Sequence, residues 1–147
     1  MKLTFILFLL VSAVAAQNKK INFFGTEFPV NSACEVKESS ARYDKNALIW
    51  LDAPPEIMRA TMVSMLKSKF EEKKVKEVKN QPLKVTLLKT SWEGKLSAFK
   101  KEDNDSITNF VQLYGQYKDA ERLLIIIYKT TKIESFRIPA HFGFLAK

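Results

Sequence analysis

The chain has 147 residues, with 24 Lys and Arg against 16 Asp and Glu, a formal charge of +8, one histidine and one cysteine. That inventory excludes a structural zinc centre, which needs three or four His, Cys or carboxylate ligands at workable spacing, and it excludes an intramolecular disulfide. The length suits one domain with its own core, and the positive balance favours anionic partners.

The first segment opens with Lys2, continues through the apolar run Thr4-Phe5-Ile6-Leu7-Phe8-Leu9-Leu10-Val11 and ends in Ser12-Ala13-Val14-Ala15-Ala16. A basic start, a short apolar stretch and small residues are the parts of a secretory signal peptide, and the run is shorter than the roughly 20 residues a membrane-crossing helix needs. Val14 and Ala16 fit the small pockets of a signal peptidase. Residues 1–16 are therefore expected to be a signal peptide cleaved before Gln17, with the Ala13/Ala15 register as the alternative, and residues 17–147 a single exported domain, periplasmic or extracellular. A lipid anchor would need a cysteine directly after the cleavage site, and Cys34 lies too far along.

Residues 17–33 mix Phe23, Phe24, Phe28 and Val30 with Gly25 and Pro29, which reads as an extended segment docked on the domain. Cys34 is expected to be a buried small hydrophobe, since Glu35 and Glu38 oppose thiolate formation and only Lys37 favours it. The stretch Ala47-Leu48-Ile49-Trp50-Leu51 predicts a strand, and Asp52-Ala53-Pro54-Pro55-Glu56 a helix start in which Asp52 caps and Glu56 meets the positive end of the dipole. From Pro55 to about Lys74, Met58, Met62, Met65, Leu66 and Phe70 recur at spacings of three and four, so they share one face and are expected in the core. The lysine-rich run Lys67–Lys79 is expected to be a solvated face.

After Asn80-Gln81-Pro82 the apolar period falls to two. Leu83–Thr90 predicts a strand, Ser91-Trp92-Glu93-Gly94 a turn, Lys95–Lys101 a strand and Glu102-Asp103-Asn104-Asp105 a second turn. Ser106–Tyr117 alternates, Lys118–Glu121 turns the chain, and Arg122–Thr130 is aliphatic enough for the centre of a sheet. Ile133–Ile138 predicts an edge strand limited by Pro139. This order predicts an α+β fold: an antiparallel sheet of four to six strands with one long amphipathic helix packed across one face, a two-layer sandwich. Over residues 47–130 a helix followed by a meander with a Gly-containing hairpin resembles, in topology, the Mog1/PsbP-type sandwich. No functional residue transfers from that resemblance, because such a fold hosts unrelated functions.

No nucleophile elbow, phosphate-binding loop, dinucleotide fingerprint or EF-hand loop occurs, and Glu102-Asp103-Asn104-Asp105 lacks a calcium loop's interposed spacing. His141, the sole histidine, follows no catalytic pattern. No cofactor, metal site or catalytic residue is therefore expected. Trp92, Lys95 and Lys101 on the predicted hairpin, with Lys73 and Lys76 from the lysine-rich run, form the candidate binding surface, although alternation sends Lys95, Phe99 and Lys101 to one side and Lys100 to the other. Export and a shortage of arginine forks disfavour nucleic acid. The expected function is a small exported non-catalytic protein that binds another macromolecule, an envelope accessory or immunity-type protein. Its expected partner is another protein, with an anionic polymer or membrane surface as the electrostatic alternative. The competing expectation is a small hydrolase or small-ligand-binding protein with a pocket between helix and sheet. A concave site holding two carboxylates, or His141 with a carboxylate and a hydroxyl, at hydrogen-bonding distance would favour it, and a solid helix-sheet interface with those groups scattered in solvent would oppose it.

Overall fold

A computed structural model describes residues 19–71 and 74–147, so the expected signal peptide, its expected cleavage site and Lys73 lie outside the described residues. Lys19–Phe23 (β1) and Thr26–Val30 (β2) pair as a hairpin of their own. A second antiparallel sheet contains Glu35–Lys37 (β3), Ser40–Tyr43 (β4), Asn46–Asp52 (β5), Val75–Leu87 (β6), Thr90–Lys101 (β7), Ile107–Tyr117 (β8) and Ala120–Thr130 (β9), in the spatial order β3-β4-β5-β9-β8-β7-β6. One helix, Glu56–Glu71 (α1), connects β5 to β6, and a 3-10 segment, Ala140–Ala146, closes the chain. Strand β9 lies in mid-sheet because Leu123, Leu124, Ile125 and Ile126 are buried on both faces, which only a covered strand tolerates.

Three two-residue turns, Phe24-Gly25, Leu88-Lys89 and Lys118-Asp119, have positive φ at both positions. That geometry matches the right-handed twist of the strands it joins, yet only the first of the three includes glycine.

Successive side chains alternate between the two faces of the sheet. One face carries Leu48, Trp50, Trp92, Leu96, Val111, Leu113, Leu124, Ile126 and Tyr128, and is covered by Ile21 and Phe23 of the β1-β2 hairpin and by Phe142, Phe144 and Leu145 of the 3-10 segment. Phe23 is the hub of this layer, its ring centroid 5.6 Å from both Trp50 and Phe144 and 5.7 Å from Tyr117. The Trp50 indole N–H fixes the hairpin by donating to the Asn22 carbonyl at 3.1 Å. The other face carries Phe99, Phe110, Leu123 and Ile125, with Ile49, Met62 and Ile127 packed against them.

The expected α+β two-layer sandwich is overturned. Among the described residues the protein is mostly β, with nine strands in two antiparallel sheets, and the Mog1/PsbP-type topology falls with that expectation. Two segments account for the difference. Residues 19–43 supply four strands where a loose docked segment and a polar stretch were expected, and β6 starts at Val75, inside the lysine-rich run. Helix α1 lies within the expected span but does not cover the main core: Ile57, Met65 and Met58 are 90%, 62% and 55% exposed, and of these methionines Met62 packs on the sheet. The core role expected of Met58 and Met65 is thus incorrect, while the Leu66 and Phe70 side chains lie outside the described residues. Asp52 ends β5 and pairs with Arg122 rather than capping α1.

The hairpin turn is displaced as well. Ser91-Trp92-Glu93-Gly94 lies inside β7, and the chain reverses at Leu88-Lys89. Ile133–Ile138 forms no strand and is held by side chains, with Lys79 Nζ donating to the Glu134 carbonyl at 2.9 Å and Arg137 Nε to Glu134 Oε1 at 2.8 Å.

Candidate functional site

Between α1 and its face of the sheet lies a cavity of about 580 Å³, within the range of small-molecule sites. Its floor follows from strand alternation: Lys95, Ser97 and Phe99 of β7 and Phe110, Gln112 and Tyr114 of β8 face the same side, with Lys95 opposite Gln112 and Ser97 opposite Phe110. Glu77 and Asn80 of β6 form a flank, and Arg59, Ala60, Val63 and Ser64 of α1 form the roof. Ala60 and Ser64 are small residues on the lining, and Ile57 and Met65 of the same helix stand in solvent. Gly94 lets β7 and β8 approach, since a Cβ there would lie 1.8 Å from the Gln112 carbonyl oxygen.

The cavity has two chemically distinct ends. At one, Gln112 is buried and its Nε2 donates to Tyr114 Oη at 2.6 Å, which leaves the phenolic hydrogen free to donate elsewhere. Arg59 lies with Cζ 4.4 Å over the Tyr114 ring, donates from Nε to the Pro54 carbonyl at 3.2 Å and pairs through Nη2 with Glu121. Its charge is therefore engaged in fixing the start of α1 to β8 and β9. Lys95 is exposed and makes no ion pair or hydrogen bond among the described residues. The neighbouring carboxylate on its face, Glu93, is engaged by Lys84 at 2.9 Å, a contact that raises the Lys84 ammonium above its ordinary value. At the other end Phe99, Phe110 and Val63 supply apolar walls, and Glu77 Oε1 on the flank accepts from Asn80 Nδ2 at 2.9 Å.

Of the described residues expected to form a binding surface, Lys95 alone lines this cavity. Trp92 is fully buried on the opposite face, its Nε1 donating to the Leu87 carbonyl at 3.1 Å, so it cannot contribute to a surface. Lys101 and Lys76 are exposed near one end of the β6-β7 pair but on opposite faces, since Lys101 is in register with Val75 and Lys76 with Lys100. Lys101 is six residues from Lys95, about 20 Å along the strand.

Sequence reasoning missed Gln112, Tyr114 and Arg59. The signal for Gln112 was an uncharged polar residue in the parity of Phe110 and Tyr114, on a strand whose other parity is apolar.

His141 is remote from the cavity: its ring stacks on Tyr43 at 3.5 Å, beside a shallow depression lined by Pro29, Val30, Asn31 and the 3-10 segment. Cys34 is fully buried as expected, and burial pushes its thiol up, only partly opposed by Lys19. Among the described residues no group of three His, Cys, Asp or Glu is placed to hold a metal ion, and no helix is long and apolar enough to cross a membrane. Compared with protein-family models, curated proteins and solved structures, the chain matches none.

Proposed function

We propose that this protein is an exported, non-catalytic small-ligand-binding protein whose ligand lies between α1 and the sheet. The observation that carries this reading is the hollow helix-sheet interface. A 16-residue helix laid on a sheet normally buries its larger side chains there, whereas a cavity of about 580 Å³ remains between the sheet and Arg59, Ala60, Val63 and Ser64 of α1. Few polar groups converge on an apolar lining, the usual composition of a ligand pocket. The hydrolase form has less support, because Glu77 is the single carboxylate in the lining among the described residues and His141 stacks on Tyr43, away from the cavity. Export rests on the basic-apolar-small pattern of residues 1–16, and an intact mass beginning at Gln17 in the secreted fraction would support it.

The test uses a neutral apolar probe, diphenylhexatriene, on the wild type and on Ala60→Trp, which fills the cavity from the helix side. Saturable binding of one probe per chain, abolished in Ala60→Trp while circular dichroism is unchanged, supports the reading. No saturable binding, or binding indifferent to the substitution, overturns it.

A second reading, docking of another protein on the outer side of α1, is favoured by the exposed Ile57, Met58 and Met65. It expects Ile57→Glu with Met65→Glu to release a co-purifying partner and to leave probe binding unchanged.

A further inference from the structure

We propose that Asn104, in the turn between β7 and β8, is an N-glycosylation site whose side-chain nitrogen takes one oligosaccharide as the chain is exported. This inference rests on the export part of the reading above and is independent of what binds between α1 and the sheet. It adds a covalent modification and the kind of secretory compartment the chain passes through.

Three observations carry it. First, Asn104-Asp105-Ser106 is an Asn-x-Ser triplet whose middle residue is not proline, the acceptor pattern for N-linked sugar. None of the other asparagines, the buried Asn109 among them, has Ser or Thr two residues further on. Such triplets arise by chance, so the position in the fold decides. Secondly, the fold puts this one on the surface. Residues 102–105 join β7 to β8 and all four are exposed, with Ser106 half-buried just before β8 begins. An oligosaccharide is bulky and strongly hydrated, and an exposed turn accommodates it without displacing the core. None of the turn residues lines the cavity under α1. Thirdly, the groups that react and are recognised are available. Asn104 Oδ1 accepts from the Ser106 N–H at 2.8 Å, an Asx turn that brings the asparagine amide beside the serine. The Asn104 Nδ2 and the Ser106 hydroxyl make no hydrogen bond among the described residues, and the Lys100–Asp105 ion pair at 3.7 Å engages neither.

The co-reactant is an oligosaccharide carried on a polyprenyl diphosphate. The bond from Nδ2 to sugar C1 forms as the bond from C1 to the phosphate oxygen breaks. The lipid diphosphate leaves with that electron pair, and Nδ2 gives up one proton to a base of the membrane-bound transferase. The exchange is redox-neutral.

Expression in a cultured animal cell line tests this, with the full chain and with residues 17–147 behind an established secretory leader. Each is made as wild type, Asn104→Gln, Ser106→Ala and Ser106→Thr, and intact mass is read on cells and medium together, before and after treatment with peptide-N-glycosidase. The expected result is a wild type heavier by one oligosaccharide, a shift that the glycosidase removes, that Asn104→Gln and Ser106→Ala abolish and that Ser106→Thr retains. Leader-driven wild type without the oligosaccharide, or a shift that persists in Asn104→Gln, overturns the inference. If the leader-driven chain is modified while the full chain stays in the cells unmodified, the site stands and the export reading falls. If the full chain is secreted and both forms are unmodified, export stands and the site falls.

Discussion

Lys95 and Gln112 stand directly opposite each other in the β7-β8 register, an exposed ammonium beside a buried amide, and both line the cavity under α1. The pairing places a charge at the mouth and a fixed hydrogen-bond donor deeper in, and Gln112 sets which way the Tyr114 hydroxyl can donate. Replacing Gln112 by Leu removes the amide from a layer otherwise formed by Ile125 and Phe110. Stability is expected to stay within about 1 kcal/mol of wild type, since an apolar group of similar size substitutes for a modest net hydrogen bond. Saturable diphenylhexatriene binding should be retained, since an apolar probe makes no hydrogen bond to the lost amide, which fluorescence titration reads directly.

Trp92 belongs to the fold and not to the site. Trp92→Phe loses the indole bond to the Leu87 carbonyl and leaves unfilled volume under the β1-β2 hairpin, so urea denaturation should show a loss of about 1–3 kcal/mol. Probe affinity of the folded fraction should be unchanged.

The Leu88-Lys89 turn holds two ordinary residues at φ 50° and 57°, a region that disfavours side chains with a Cβ. Lys89 is exposed, and Lys89→Gly is expected to raise the midpoint of thermal unfolding, with a gain of up to about 1 kcal/mol. A lower midpoint would show that the lysine side chain contributes more than its backbone costs.

Two buried groups set the alkaline limit. Burial raises the Cys34 thiol above its ordinary 9.0 and the Tyr128 phenol above its ordinary 10.0, the latter partly opposed by the Arg137 backbone. In each case the folded protein keeps a proton that the unfolded chain releases. Their contribution is therefore complete below those ordinary values and is lost as pH rises through the raised ones. The denaturation midpoint should fall as pH passes about 9 and again past about 10. Tyr128→Phe should remove the second step, and at neutral pH it should cost little, because Tyr128 Oη is buried and the Arg137 backbone approaches it without forming a hydrogen bond of normal geometry among the described residues. An unaltered fall above pH 10 in the variant contradicts this.

Much of the meander was legible because its periodicity is clean. Ser106–Tyr117 and Arg122–Thr130 alternate or run apolar and become β8 and β9, and the helix start after Pro55 is marked by its flanking residues. Other elements were hidden by local chemistry that imitates something else. The first turn of β6 is lysine-rich and contains a bulge between Glu77 and Lys79, so its alternation is broken where a strand signal was needed. Gly94 imitates a turn residue, but its role is the close approach of β7 to β8. The methionines of α1 keep the spacing of a buried stripe, yet Met62 meets the sheet while Met58 and Met65 stand in solvent, and spacing alone carries no information on whether a partner surface is vacant. For the same reason Lys95 was identifiable as a basic residue on a strand, while its neighbours across the sheet depended on a register that one strand does not encode.

The most direct test is an NMR measurement of nuclear Overhauser effects between bound diphenylhexatriene and the protein. Contacts to the Ala60 and Val63 methyls and the Tyr114 ring are the predicted result. Contacts confined to the opposite side of the sheet, around Tyr43, His141 and the 3-10 segment, or no specific contacts at saturating ligand, would contradict a binding site between α1 and the sheet.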